Sequence, residues 1–158
     1  VGDDPKLLTA DGQFALFAAK GKAGERTLLR VAADGKIDWL SVGPKSLPDS
    51  PFKGDGDAAQ FAAMAFLDAA LTRKFHLGEG LLSDAGRSNL GASVIDGKYD
   101  FGALKNKLGE LFGVAAQYTV TAATKDTVTV IVGGKTATVK LSAGRSPADM
   151  KVDSVEVK

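Results

Sequence analysis

Tyr118-Thr119-Val120-Thr121-Ala122, Thr127-Val128-Thr129-Val130-Ile131-Val132 and Thr136-Ala137-Thr138-Val139-Lys140-Leu141 decide the fold of this chain. In each segment an apolar side chain alternates with a threonine or another residue. Period-two alternation sends successive side chains to opposite faces of a sheet. The segments are separated by Lys125-Asp126 and Gly133-Gly134, both hairpin-turn signals. A last strand runs from Asp149 to Val157, and its alternation is disturbed at Ser154-Val155, as a β-bulge would do. One face of this antiparallel sheet, carrying Tyr118, Val120, Val128, Val130, Val139 and Leu141, therefore needs a cover, and helices earlier in the chain must supply it.

Working back from that sheet, Phe101–Phe112 places Phe101, Leu104, Leu108, Leu111 and Phe112 on one helical stripe. Asp100 precedes it as a cap, and Gly113 follows as a left-handed stop. Asn89–Tyr99 is ambiguous apart from a turn at Asp96-Gly97. A short helix is expected from Glu79 to about Ala85, ended by Gly86. The longest helix opens at Asp57, with Gln60 completing a capping box, and runs through Phe61, Met64, Phe66, Leu67 and Leu71 to about Phe75. Its many alanines are the best helix formers. Before it, Gly43–Gly56 holds three prolines and three glycines, counting both ends, and reads as a connection. Residues 13–19, 26–33 and 36–42 read as a three-stranded meander, with Asp34-Gly35 as a two-residue hairpin turn. In the third of these strands, Ile37 and Trp39 share one face, Asp38 and Leu40 the other. The fold class is thus α+β: an antiparallel sheet on a long helix over 57–158, preceded by a β-meander over 1–43. That meander is either a unit of its own or part of the same domain.

The 158 residues are 44% hydrophobic and 25% charged, the composition of a globular domain with a proper core. Twenty basic and 19 acidic residues interleave to a net charge of +1. No basic block marks a nucleic-acid surface, and no apolar run approaches the roughly 20 residues that span a bilayer. The absence of cysteine rules out disulfides, thiol nucleophiles and cysteine zinc sites. The polar start Val1-Gly2-Asp3-Asp4-Pro5, without a methionine, suggests a removed leader and an extracytoplasmic location.

Few residues offer chemistry. His76 is the sole histidine, so a histidine metal site lacks partners. Asp55-Gly56-Asp57 has a calcium-like look, but a turn followed by an N-cap accounts for both aspartates. No nucleophile elbow, phosphate loop or dinucleotide fingerprint occurs. We expect no metal and no cofactor. Asp68 is the candidate of interest. It lies on the long helix beside Phe61, Met64, Leu71 and Phe75. If that side faces the sheet, Asp68 is buried, its pKa rises and it needs a partner such as Tyr118, Tyr99 or Arg87. If the alanine side faces the sheet, Asp68 stays solvated at the boundary, which is the reading we prefer. Asp68, Tyr118, Tyr99 and Arg87 are the candidate ligand-binding residues, and no catalytic residue is assigned.

The order of a long alanine-rich helix, a glycine break, a short helix around Leu81-Leu82-Ser83-Asp84-Ala85-Gly86-Arg87, another helix and a meander of strands resembles the cone fold shared by nuclear transport factor 2 and the ketosteroid isomerases. A cystatin-like helix-on-sheet domain is the nearest rival. The resemblance covers residues 57–158 and implies a pocket at the open end of a curved sheet. The tyrosine-and-aspartate signature of the isomerases has no clear counterpart, so no site residue is carried over. The expected function is a non-catalytic extracytoplasmic domain that binds a small molecule or a protein partner, a homodimer being one form of the latter. The alternative is a small-molecule enzyme, isomerase- or hydrolase-like, using a carboxylate in a pocket between helix and sheet. An apolar cavity with convergent polar groups is the observation that separates them.

Overall fold

The computed structural model describes residues 4–22, 25–42, 52, 56–74, 80–91, 93–96, 98–115 and 117–158. Four strands come first: β1 (Lys6–Ala10), β2 (Phe14–Lys20), β3 (Arg26–Ala32) and β4 (Ile37–Val42). Helix α1 (Asp57–Leu71) follows, then α2 (Asp84–Asn89), a small hairpin of β5 (Ser93–Ile95) and β6 (Lys98–Asp100), and α3 (Phe101–Phe112). Strands β7 (Tyr118–Ala123), β8 (Thr127–Val132), β9 (Lys135–Ala143) and β10 (Met150–Val157) close the chain. The protein is α+β, with two four-stranded antiparallel sheets in the orders β1-β2-β3-β4 and β10-β9-β8-β7.

The C-terminal sheet follows its alternation. Tyr118, Val120, Val128, Val130, Val139 and Leu141 are buried, and α1 packs on all four strands. Gly133 and Gly134 both take positive φ (56° and 78°), the tight-turn geometry that side chains resist. The irregularity in β10 is a bulge between Val152 and Ser154. Helix α3 keeps its expected bounds, and Gly113, at φ 60°, donates its N–H to the Gly109 carbonyl at 2.8 Å.

Helix α1 differs from a surface helix, because almost every residue from Asp57 to Ala70 is buried. The N-terminal sheet lies against it as well, through β1 and β4. Phe14, Leu16 and Leu28 of that sheet join the same core as Phe61, Met64, Phe66 and the valines of β8 and β9. A helix that is apolar all round belongs between two layers. Its alanines make that possible: Ala59, Ala62, Ala63 and Ala65 leave room for close approach of sheets on both sides.

Several details depart from the sequence reading. The meander has four strands, because β1 pairs with β2 ahead of the three expected. A bulge between Arg30 and Val31 of β3 and their β4 partners puts Ile37 opposite Val31 and Trp39 opposite Arg30. Ile37 therefore shares the outer face with Leu40, while Trp39 packs on the core. At the Asp34-Gly35 turn only Gly35 takes positive φ (82°), and the loop is closed by Ala32 N–H donating to the Lys36 carbonyl at 2.9 Å. The N-cap of α1 is Gly56, with no side-chain cap bond. A Cβ at Gly56 would sit 3.0 Å from the Ala123 backbone, so the chain passes the end of β7 in tight contact. Asp57 becomes the first helical residue, and Gln60 turns into the core, donating to Met64 Sδ at 3.5 Å. The helix ends at Leu71, and Phe75, His76 and Asp55 lie outside the described residues. Gly86 sits inside α2 rather than ending a helix before it.

The two outer faces are opposites. That of the C-terminal sheet carries Thr119, Thr121, Thr129, Thr136 and Thr138. That of the N-terminal sheet carries the cross-strand row Leu7, Phe17, Leu29 and Leu40, with Ala15, Val31 and Ile37 in the next. Leu7, Ile37 and Leu40 are each more than half exposed, at 54%, 62% and 51%.

A Cβ on Gly86 would lie 2.0 Å from the Val152 carbonyl oxygen, so α2 rests on β10 through this glycine. Gly109 in α3 has nothing within 4 Å of the same position. Gly86→Ala should lose about 2 kcal/mol of unfolding free energy from overpacking. Gly109→Ala should gain about 0.5–1 kcal/mol from helix propensity. Urea unfolding of both variants checks the pair; equal effects would contradict the close approach of α2 to β10.

Candidate functional site

Asp68 sits on the last turn but one of α1 and is 1% exposed, so the solvated placement is overturned. The reason is the second sheet: both sides of α1 are covered, and no orientation leaves a wet face. Its partners come from opposite layers. Tyr118 of β7 donates its hydroxyl to Asp68 Oδ1 at 2.7 Å and lies 3.3 Å from the Met64 carbonyl. Arg26 of β3 donates through Nη2 to Asp68 Oδ1 at 3.0 Å and to the Tyr118 oxygen at 2.5 Å. Burial pushes the Asp68 carboxyl above its ordinary value, and Arg26 and Tyr118 offset this only in part. Burial, and then the Asp68 charge, push the Tyr118 hydroxyl well above its own. Asp68, Tyr118 and Arg26 line neither the groove nor the smaller hollows at the two ends of α1. The cluster is a buried tie between layers.

Of the residues proposed to join Asp68, the structure brings Tyr118 to it and not Arg87. Arg87 lies on α2 and pairs with Asp84 at 3.0 Å. The Tyr99 side chain lies outside the described residues. The cation at Asp68 is Arg26, which the sequence reading missed.

A second buried cluster was missed as well. Arg30 of β3, 4% exposed, donates to Asp149 Oδ1 at 2.6 Å and through Nε to Asp38 Oδ2 at 2.6 Å. Arg145 donates to Asp149 Oδ2 at 2.8 Å and to Asp38 Oδ2 at 3.0 Å. The guanidinium groups of Arg30 and Arg145 stand 5.1 and 4.5 Å from the centre of the Phe14 ring. Burial opposes the Asp149 charge, but the bonds from the Arg145 side chain and backbone and the charges of Arg30 and Lys151 hold its pKa at about 2. The signal was present in the spacing: Arg26, Leu28 and Arg30 share one face of β3. The better apolar face, Leu29 and Val31, points outward because Asp68 and Asp149 await the arginines inside.

The concave feature lies elsewhere, at the N-terminal end of α1. A groove of about 790 Å³ opens between β1, the β7–β8 turn and the β9–β10 loop. Leu8, Ala58, Leu141, Pro147, Ala148 and Met150 form its apolar wall. Asp11, Asp57, Asp126 and Lys125 also line it, three carboxylates against one ammonium. Asp11 is already committed: Oδ1 accepts from the Gln13 and Phe14 amides at 3.0 Å each and Oδ2 from Ala148 N–H at 2.8 Å. Although burial raises it, these bonds, with Ser146 nearby, hold its carboxyl well below the usual range. Asp126 Oδ1 accepts from the Thr124 and Thr127 hydroxyls. Asp57 is different. It is 8% exposed and accepts no hydrogen bond and joins no ion pair among the described residues, yet its oxygens are not sealed from the groove. It also lines a second hollow of about 270 Å³ beside β7, together with Gln60.

Among the described residues no three His, Asp or Glu side chains converge as metal ligands, and no helix is long and apolar enough to cross a membrane. No family model, no curated protein sequence and no solved structure matches the chain.

The raised carboxyl of Asp68 fixes the sign of a pH effect. The folded protein holds this proton more tightly than the unfolded chain does. Its contribution to stability is fully present below 3.8 and is lost as pH rises through the folded-state value. Asp68→Asn removes that loss, so its stability relative to the parent should improve between about pH 3 and about pH 7. Asp68→Ala leaves the Arg26 guanidinium without a counter-charge and should cost about 3 kcal/mol at neutral pH. Urea unfolding at the two pH values is the measurement; an Asn variant that loses ground as pH rises would show the carboxyl to be favoured in its charged form.

Proposed function

We propose that this chain is a non-catalytic binding domain that takes a small ligand in the groove at the N-terminal end of α1. The groove itself carries the reading. It has the size of a ligand site, a mostly apolar wall and a few polar groups in fixed places. The alternative, an enzyme working through a carboxylate, receives less support. A general base needs a group poised near the working pH and within reach of a substrate. Asp68 has a raised pKa but is 1% exposed and does not line the groove, whereas Asp11 lines the groove but is spent on backbone amides.

The uncharged solvatochromic dye Nile red tests the groove. It should bind at one site with blue-shifted emission. Ala143→Trp, at an exposed position on the groove wall, should weaken that binding about tenfold while leaving the far-ultraviolet circular dichroism unchanged. Binding that survives the tryptophan would move the site elsewhere.

A second reading rests on the outer face of the N-terminal sheet, whose occupant would be a second copy of the chain. The row Leu7, Phe17, Leu29 and Leu40 bears no charge, so two copies can meet without opposing like charges. Four strands about 4.8 Å apart and six residues at about 3.3 Å give a face of about 400 Å². That is half of the about 800 Å² per partner of a standard interface, so the dimer is expected to be weak. Sedimentation velocity should show it only near about 1 mM protein, and the double variant Ile37→Lys, Leu40→Lys should abolish it. A monomer at every concentration removes this reading.

A further inference from the structure

We infer that the groove selects an amphiphile whose cationic head, a primary ammonium, is held by Asp57 while its hydrocarbon body lies on Leu8, Leu141 and Met150. This rests on the ligand-groove reading above and goes beyond it by naming the ligand's chemistry.

The observation that carries it is the state of Asp57. A carboxylate that is ionised offers about four acceptor sites and no donor. Buried polar groups in folded proteins are paired with few exceptions, and a charge more strictly than a dipole. Asp57, 92% withdrawn from solvent by its 8% exposure, meets no donor among the described residues. Asp11 and Asp149, by contrast, are saturated by amides and guanidinium groups. One turn further along α1, Gln60 is 1% exposed, and its single bond is the weak one from Nε2 to Met64 Sδ. Asp57 thus stands without a partner among the described residues at the start of α1, where it lines both the groove and the hollow beside β7.

The complement of free acceptors is a donor, and of a free negative charge a cation. An ammonium supplies three donors in a compact head. The groove's three carboxylates against Lys125 add a field of the same sign. Anionic heads are disfavoured, even though a bare helix N-terminus would attract them, because Asp57 already occupies that end. The hydroxyl donors of the groove are Thr9 and Ser142, and Ser142 is already donating to Asp153 at 2.8 Å, which leaves Lys125 as the one cation in the lining.

Three eight-carbon probes separate the head from the body: n-octylammonium, 1-octanol and octanoate, each titrated by amide chemical-shift changes on the whole chain. Octylammonium should bind about tenfold tighter than octanol, with octanoate weakest. Asp57→Asn should erase the ammonium preference and leave octanol binding intact. Should that variant fail to fold, the parent protein still decides: added sodium chloride should narrow the gap between octylammonium and octanol. An octanoate affinity equal to that of octylammonium, a preference that survives Asp57→Asn, or a gap indifferent to salt overturns the head-group assignment while the groove stands. Failure of all three probes to shift groove amides overturns the groove as well.

Discussion

Helix α1 has no wet side, and the rest of the structure answers to that. A fifteen-residue helix buried from Asp57 to Ala70 needs two covers at once, and the chain supplies one sheet before it and one after it. Burial of this much apolar surface is the main driving term of the fold. It has a consequence for every polar group on the helix: Asp57, Gln60 and Asp68 cannot reach bulk water by turning outward. Each must be paired by a neighbouring layer or left facing a cavity. Asp68 is the first case and Asp57 the second.

The pairing is distributed between the layers in a regular way. The inner face of β3 carries two arginines, and each meets a carboxylate from beyond the first sheet: Arg26 with Asp68, Arg30 with Asp149. Ion pairs of this kind add little net stability, because the desolvation of both charges offsets their attraction. Their effect is on selectivity. A one-residue slip of β3 would turn both arginines to solvent and leave two carboxylates unpaired inside. Arg145 and the Phe14 ring extend the second pair into a cluster that fastens the β9–β10 loop to the first sheet. That same loop forms a wall of the groove, so its ion pairs also fix the shape of the site.

With no matching family, sequence or solved structure, the functional argument rests on local chemistry. Two buried aspartates on one helix, eleven positions apart, have different surroundings. Asp68 is buried and accepts from Tyr118 and Arg26. Asp57 lines the groove and meets no donor among the described residues. A binding function follows from the second environment more readily than a catalytic one from the first.

The C-terminal half was largely legible in the sequence. Alternation specified β7 to β9 and their buried face, and glycine pairs and Gly113 marked turns and a helix end, because these features depend on neighbours in sequence. The Asp68–Tyr118 contact was also within reach, as a buried acid needing a hydroxyl. What local pattern could not supply was the placement of the N-terminal sheet over α1. That placement decided that Asp68 is buried, that Arg26 rather than Arg87 is its cation, and that Leu29 and Val31 face outward while Arg30 goes inside. The approach of the end of β7, in the other sheet, likewise made Gly56, close against Ala123, the cap, so that Asp57 enters the helix and faces the groove. Periodicity names the faces of a strand or a helix; only the packing of distant layers determines which face is covered, and so which charges find partners.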